Sequence, residues 1–362
     1  MTHTHEMGPV LVTGGAGFIG TNLSARLLAS GRQVIVLDNL SRFGVEQNLQ
    51  WLHACHAGQL EIVHGDVRDR DLLGSLVARA GEVFHLAAQV AVTSSLEDPV
   101  VDFEVNLRGT LNLLEAIRTS THRPPLVFTS TNKVYGALED VALEVGRHRY
   151  QPVDPGLRAH GLGEARALDF HSPYGCSKGG ADQYVLDYAR SYGLDAVVLR
   201  MSCIYGPHQC GNEDQGWVAH FLIRALSGEP VTLYGDGLQV RDILYVEDLV
   251  DAFLACRERM PALRGRAFNM GGGPANAVSL LEVLERIGEL TGRSPDIRHS
   301  DWRTGDQRYY VSDTSVFRAA TGWAPRVPAA EGIARLHDWL REFRVPDARV
   351  RREAATAGSS AA

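Results

Sequence analysis

The sequence predicts an α/β fold, a doubly wound parallel sheet followed by a smaller C-terminal lobe. Three observations carry this prediction. Short apolar, β-branched runs recur between Val10 and Met201, a helical pattern follows each, and the first run opens directly into a glycine-rich turn.

In order, the runs are VLVTGG (10–15), QVIVLDN (33–39), LEIVHGD (60–66), EVFHLAA (82–88), PLVFTST (125–131) and DAVVLRM (195–201). Each is almost continuously apolar, which suits strands covered on both faces. The segment VDFEVNLRGTLNLLEAIRTS (101–120) puts Phe103, Leu107, Leu111, Leu114 and Ile117 on one helical stripe. The alternation stops between Tyr135 and Ser172, a polar stretch rich in Gly, Pro and Arg that predicts an ordered excursion or lid beside the site. Beyond Tyr205 the pattern loosens, with helices clearest over 246–260 and 279–292. The expected organisation is a dinucleotide-binding domain over 8–204 with an insertion at 136–172, a mixed lobe over 205–345, and a disordered tail over 346–362.

A chain of 362 residues can bury a large core, and 44% hydrophobic with 22% charged residues is ordinary for a globular protein. A net charge of −7 supplies no basic surface for a nucleic-acid partner. No apolar run approaches the ~18 residues of a membrane span. The start, MTHTHEMG, lacks the apolar core of a signal peptide, so the expected location is cytoplasmic. Five cysteines, an odd number with no C-x-x-C pair, argue against a disulfide framework. Among fourteen histidines there is no H-E-x-x-H, and His53-Ala54-Cys55-His56 reads as exposed helix, so no metal site is expected.

VTGGAGFIG places Gly14, Gly17 and Gly20 after the first strand and at the opening of a helix. Glycines there let the backbone approach a pyrophosphate, which then sits on free N–H groups at the helix N-terminus. The second strand ends in Asp38, an acceptor for a ribose hydroxyl that favours NAD over NADP, while Arg42 nearby pulls the other way. FHSPYGCSK sets Tyr174 and Lys178 four residues apart behind Pro173, which can open a helix. Phenol and ammonium then share a face, where the cation lowers the phenol's pKa towards the range of a general base. A surface Tyr–Lys pair is the plainer alternative.

The spacing G-x-x-G-x-x-G together with Tyr174-x-x-x-Lys178 resembles the extended short-chain dehydrogenase/reductase superfamily. Further matches are Asp66-Val67, LAAQ (86–89), STNKVYG (130–136) and YGP (205–207), so the resemblance runs from about Val10 to Leu340. It implies a Rossmann-type fold and an NAD cofactor lined by Gly14, Gly17, Phe18, Ile19, Gly20, Asp38, Asn39, Asp66, Val67, Leu86, Ala87 and Ala88. It also implies Tyr174 as acid/base, Lys178 as the cation that lowers its pKa and binds the nicotinamide ribose, and Thr131 as hydrogen-bond partner of the reacting hydroxyl.

Within that superfamily, sugar-nucleotide 4,6-dehydratases carry an Asp-Glu pair after the threonine. Asn132 and Lys133 stand there instead, which disfavours dehydration. Oxidation to an acid needs a thiol nucleophile. Cys176 lies within the Tyr–Lys helix turn, and Cys203, where many relatives have Asn, reads as pocket wall. The strings TSTNKVYG, LDFHSPYGCSKGGADQYVLDYAR, EDQGWVAHF and FNMGGGPANAVSLLE resemble one narrower group, the CDP-paratose 2-epimerases. That resemblance implies inversion at C2 of a nucleotide-linked hexose through a 2-keto sugar. Substrate contacts are expected from Gln89, Asn132, Lys133, Cys203, Arg241 and Arg303. The two arginines are expected on the diphosphate, with Asp306 holding one of them and Arg308 as the alternative to Arg303. Gln215, Trp217 and His171 are open between substrate contact and packing. The competing readings are a UDP-hexose 4-epimerase and a non-catalytic NAD-binding regulatory protein. The family also implies a homodimer or homotetramer through helices near 101–120 and 174–192.

Overall fold

The structure is a computed structural model and describes residues 8–303 and 305–343. The expected tail at 346–362 lies outside the described residues. Seven strands form one parallel sheet: β1 Val10–Thr13, β2 Val34–Asp38, β3 Leu60–His64, β4 Glu82–His85, β5 Leu126–Thr131, β6 Ala196–Met201 and β7 Ala267–Met270. Their spatial order is β7-β6-β5-β4-β1-β2-β3, so the order reverses at β1, between β2 and β4. A crevice opens beyond the C-terminal strand ends at such a reversal, and open α/β sheets bind ligands there.

Alternation of side chains decides the two cores. Val10 and Val12 face helix Phe18–Ala29 and pack with Leu23, Leu27 and Phe253. Leu11 points the other way, into a cluster with Leu113, Leu114 and Val185. Both faces are covered, which is why these strands read as unbroken apolar runs. The edge strand β3 departs from that expectation. Its residues are half-buried or exposed, and Glu61 on it pairs with Arg79.

The strand β7 comes from the C-terminal half of the sequence and completes the sheet beside β6. Helix Val246–Glu258 precedes it, and Leu249, Val250 and Phe253 of that helix join the first core. The segment 246–270 therefore crosses the expected division at 204/205. The remaining lobe is built on strand Val240–Tyr245, which pairs with Cys203–Tyr205, Ala277–Ser279 and Tyr309–Tyr310. Helices Trp217–Ser227, Leu280–Thr291 and Ala329–Phe343 close its core around Leu222, Ile243, Ile287 and Leu336.

The excursion 136–172 is ordered. It carries a hairpin, Leu143–Val145 with Tyr150–Pro152, and a short helix, Pro155–His160. Leu138 and Leu162 pack with Val240 and Tyr310, which ties it to the C-terminal lobe.

The predicted stripe over 101–120 holds at Leu107, Leu111, Leu114 and Ile117, which pack into one core, and breaks at Phe103. The segment is α-helical over Pro99–Phe103, makes a π turn at Glu104–Arg108, and resumes as α-helix over Gly109–Thr119. The wider turn shifts the phase, because each residue in it advances less than 100°. Phe103 is consequently 43% exposed, while Asp102, Asn106 and Thr110 face inward with Leu113 and Ile117.

Candidate active site

The glycine turn lies at the sheet reversal. Gly14 has φ +69°, and a Cβ on it would stand 2.7 Å from the Ala87 amide nitrogen; one on Gly20 would stand 2.3 Å from the Gly14 carbonyl oxygen. Glycine is therefore required for the backbone of the turn, the helix start and the end of β4 to pack this closely. Helix Phe18–Ala29 starts there without a side-chain cap, so Phe18 and Ile19 offer their N–H groups at its N-terminus. Asp38 closes the far end of the turn. Its carboxylate accepts from the N–H of Ala16 at 3.0 Å and of Leu40 at 2.9 Å, and burial raises its pKa. Asp66 accepts from Asn39 at 2.9 Å and from both ends of the Arg68 fork at 2.9 and 2.8 Å, which holds its carboxyl well below the ordinary range. Val67 beside it is buried.

Three observations fit this cleft to a dinucleotide. They are the close-packed glycine turn at the sheet reversal, the uncapped helix start, and the buried Ser130 hydroxyl, which has no hydrogen-bond partner among the described residues.

Tyr174 and Lys178 sit on helix Ser172–Tyr192, which has Pro173 in its first turn. Both are buried, at 8% and 3% exposure, so the surface-pair alternative does not hold. Thr131 ends β5, its hydroxyl oxygen accepting from the Lys133 N–H at 3.2 Å and hydrogen-bonded to Tyr174. Burial pushes the Tyr174 phenol up to about 12, with Thr131 and Arg42 acting against it and Asp102 with it. Burial pushes the Lys178 ammonium down to about 8, opposed by Asp182 and Asp102. One expectation needs correcting here. The ammonium does not meet the phenol: it donates to the Thr129 carbonyl at 2.7 Å and lies 4.4 Å from the centre of the Phe128 ring. The long lysine stem reaches past Tyr174 to β5, where an unused carbonyl lone pair stabilises the buried charge.

Around this centre the structure adds residues that the sequence reading left out. His85 is wholly buried between Thr13 Oγ1 at 2.6 Å and Thr110 Oγ1 at 3.1 Å, and burial pushes it down to about 3, so it is neutral. Asp102 accepts from Ser177 at 2.5 Å and from Asn106 at 3.2 Å, beneath the Tyr174 helix. The π turn brings Asn106 inward, which the apolar spacing did not mark.

The substrate side divides. Asn132 Nδ2 donates to Gln307 Oε1 at 3.0 Å, and Lys133 Nζ donates to the Gly305 carbonyl at 3.2 Å and lies 3.6 Å from Asp306. Arg241 is 7% exposed and pairs with Asp306 at 2.7 Å. Burial works against ionisation of Asp306, yet Arg241 and Lys133 together hold its carboxyl below the ordinary range. Cys203 accepts from Trp217 Nε1 at 3.4 Å, and burial raises its thiol pKa, which fits a wall and not a nucleophile. Arg303 lies 3.9 Å from the Tyr234 ring centre and 3.5 Å from Asp214, while Arg308 stacks over Trp302 and Tyr150.

One expected contact, Gln89, and two residues left open, His171 and Gln215, have partners elsewhere. Both ends of the Gln89 amide bond the Ala91 backbone, at 2.7 and 2.8 Å, so it braces its own loop. His171 is half exposed and pairs with Asp169 at 3.0 Å. Gln215 bonds Asn212 through its backbone. Among the described residues no group of three His, Cys, Asp or Glu is arranged to hold a metal, and no helix is long and apolar enough to cross a membrane.

A model of the NAD dependent epimerase/dehydratase family matches residues 10–271. The chain is 42% identical to the CDP-paratose 2-epimerase of Salmonella typhi, covering 91% of this chain and 98% of that protein. It is 36% identical to a UDP-glucose 4-epimerase of Mycolicibacterium smegmatis, covering 91% and 98%. Among solved structures, the UDP-glucose 4-epimerase of Thermotoga maritima with UDP-glucose superposes with a TM-score of 0.79 at 32% identity, covering 92% and 99%. That of Thermus thermophilus in complex with NAD superposes with a TM-score of 0.76 at 36% identity, again covering 92% and 99%.

Proposed function

Because this chain belongs to the NAD dependent epimerase/dehydratase family and uses NAD, we propose that it inverts C2 of a nucleotide-activated hexose through a transient 2-keto sugar. The observation that carries an epimerase over a dehydratase is the fate of Asn132 and Lys133. Both side chains are held by residues 305–307, and neither can act as a carboxyl acid or base. The choice of C2 over C4 is supported by the 42% identity to a CDP-paratose 2-epimerase; the 36% identity to a UDP-glucose 4-epimerase keeps the 4-epimerase as second reading.

In this reading Tyr174 takes the proton of the reacting hydroxyl and later gives it back, and Thr131 orients that hydroxyl. When bound, NAD would supply the hydride acceptor and donor for the sugar carbon. Lys178 donates to the Thr129 carbonyl on β5, so in this reading it supplies buried positive charge beside the site and not a direct contact to the phenol. Gly14, Gly17, Gly20, Asp38, Asp66 and Val67 would hold the dinucleotide, and Arg241 and Arg303 the diphosphate of a CDP-hexose, in pairs of N–H donors.

We also propose a homodimer. Leu96, Val100, Val101 and Phe103 lie exposed on the helices that pack against Ser172–Tyr192, a run of exposed apolar residues that a partner copy would cover.

The test of the reaction is a substrate deuterated at C2. Internal hydride transfer keeps the label at C2 of the epimerised product in ordinary water. Solvent hydrogen at C2, or inversion at C4 alone, overturns the proposal.

A further inference from the structure

Asn132 and Lys133 occupy the positions next to Thr131, yet neither side chain bonds Tyr174 or Lys178. Both reach across to the segment Gly305–Arg308 of the C-terminal lobe. Asn132 Nδ2 donates to Gln307 Oε1 at 3.0 Å, and Gln307 Nε2 donates in turn to the Gly136 carbonyl at 2.6 Å. Gln307 has 0% exposure, so its amide is committed to these two partners. Lys133 Nζ donates to the Gly305 carbonyl at 3.2 Å. Asp306 is the shared counter-ion of Lys133, at 3.6 Å, and Arg241, at 2.7 Å. On the other side, the Lys133 N–H donates to Thr131 Oγ1 at 3.2 Å, and the Asn132 carboxamide oxygen accepts from the same hydroxyl at 3.4 Å.

We propose that Gln307 is a positioning residue, and that Asn132, Lys133, Asp306 and Gln307 form a relay through which a diphosphate seated on Arg241 fixes Thr131. This rests on the nucleotide-sugar reading above. Two cations share one carboxylate here. A diphosphate arriving on Arg241 brings negative charge against Asp306, and like charges repel in a buried site where screening is weak. Asp306 is then driven towards Lys133, whose backbone holds the Thr131 hydroxyl. Gln307 keeps the two segments in register while this happens, because a buried amide satisfied at both ends has no alternative partner. The nucleotide thus acts on the reacting hydroxyl without touching it, and binding energy far from the sugar is spent on orientation.

The test uses the full chain with its bound cofactor, with CDP as probe. In the parent, CDP is expected to slow amide hydrogen exchange across residues 131–136. In Gln307→Ala that protection is lost, while CDP affinity stays within about threefold and the cofactor stays bound. Turnover of the nucleotide sugar falls about 10- to 100-fold, mainly in kcat. Asn132→Ala behaves alike, and the double variant loses no more than either single one, because both remove the same link. Gln307→Glu keeps the shape and the acceptor but loses the donor to Gly136, and is expected to be intermediate, which guards against a folding defect in the alanine variant. Unchanged kcat in Gln307→Ala, additive losses, or a parent showing no CDP-dependent protection would each overturn the relay. If the parent turns over no nucleotide hexose, the functional reading fails, and the exchange experiment still decides the relay on its own.

Discussion

Lys178 is a charge held where burial disfavours it, so replacing it should stabilise the protein that it makes active. The residue is 3% exposed, and its pKa falls from an ordinary 10.5 to about 8. At roughly 1.4 kcal/mol per pH unit, that drop corresponds to about 3 kcal/mol of disfavoured charge. Lys178→Met removes the charge and keeps most of the stem's volume. It also gives up the hydrogen bond to the Thr129 carbonyl, about 1 kcal/mol. The net expectation is a gain of about 2 kcal/mol at neutral pH, or about 3 °C in Tm for a chain of this size. The pH dependence has a definite sign. The folded pKa lies below the unfolded one, so the unfolded chain binds the extra proton between about pH 8 and 10.5, and the parent gains stability as pH rises through that window. The advantage of Lys178→Met is therefore full below about pH 8 and nearly gone by about pH 9.5. Thermal melts of both proteins at pH 7 and pH 9.5 measure it, with cofactor stripped from each because bound ligand adds its own stability. A variant less stable than the parent at pH 7, or a gap that does not narrow with pH, would refute the reasoning. Activity of the variant should be lost throughout.

Three further outcomes follow from the geometry. Tyr174→Phe keeps the buried ring and removes the proton carrier, so turnover should fall by about two to four orders of magnitude with Tm almost unchanged, as steady-state kinetics and a melt will show. Asp182 and Arg200 form a bidentate pair at 2.9 and 3.0 Å, at 0% and 6% side-chain exposure, so Asp182→Ala strands a buried guanidinium and should destabilise by about 3–5 kcal/mol in urea unfolding. Val100→Glu with Phe103→Glu should convert a dimer to monomers in sedimentation, because two carboxylates cannot be buried unpaired on an apolar face.

The parts legible in the sequence were those where one strong local rule acted alone. Six sheet strands, the glycine turn and the buried Tyr–Lys helix each follow from a pattern within a few residues. The seventh strand was not legible: Ala267–Met270 has four residues, and Asn269 among them is polar, yet wholly buried and bonded to Tyr135 and Leu162. Phe103 alone leaves the predicted stripe over 101–120, because a π turn changes the helical phase and nothing in the apolar spacing marks where such a turn falls. The roles of Gln89, Lys178 and Gln307 depend on partners far along the chain or on a backbone turn, so the residue types alone could not assign them.

The seventh strand also bears on how the protein is made. Until Met270 has been synthesised, β6 is an open sheet edge whose backbone and apolar residues have no cover on one side. At ribosomal rates of roughly 5–20 residues per second, the 69 residues from Met201 to Met270 leave that edge open for several seconds on each nascent chain. Such an edge is a template for pairing with another chain. A fragment ending at Tyr205 would carry the entire glycine turn and the Tyr–Lys helix, yet its sheet would stay unfinished, and a chaperone that holds the emerging N-terminal half has a defined surface to occupy until the late strand arrives.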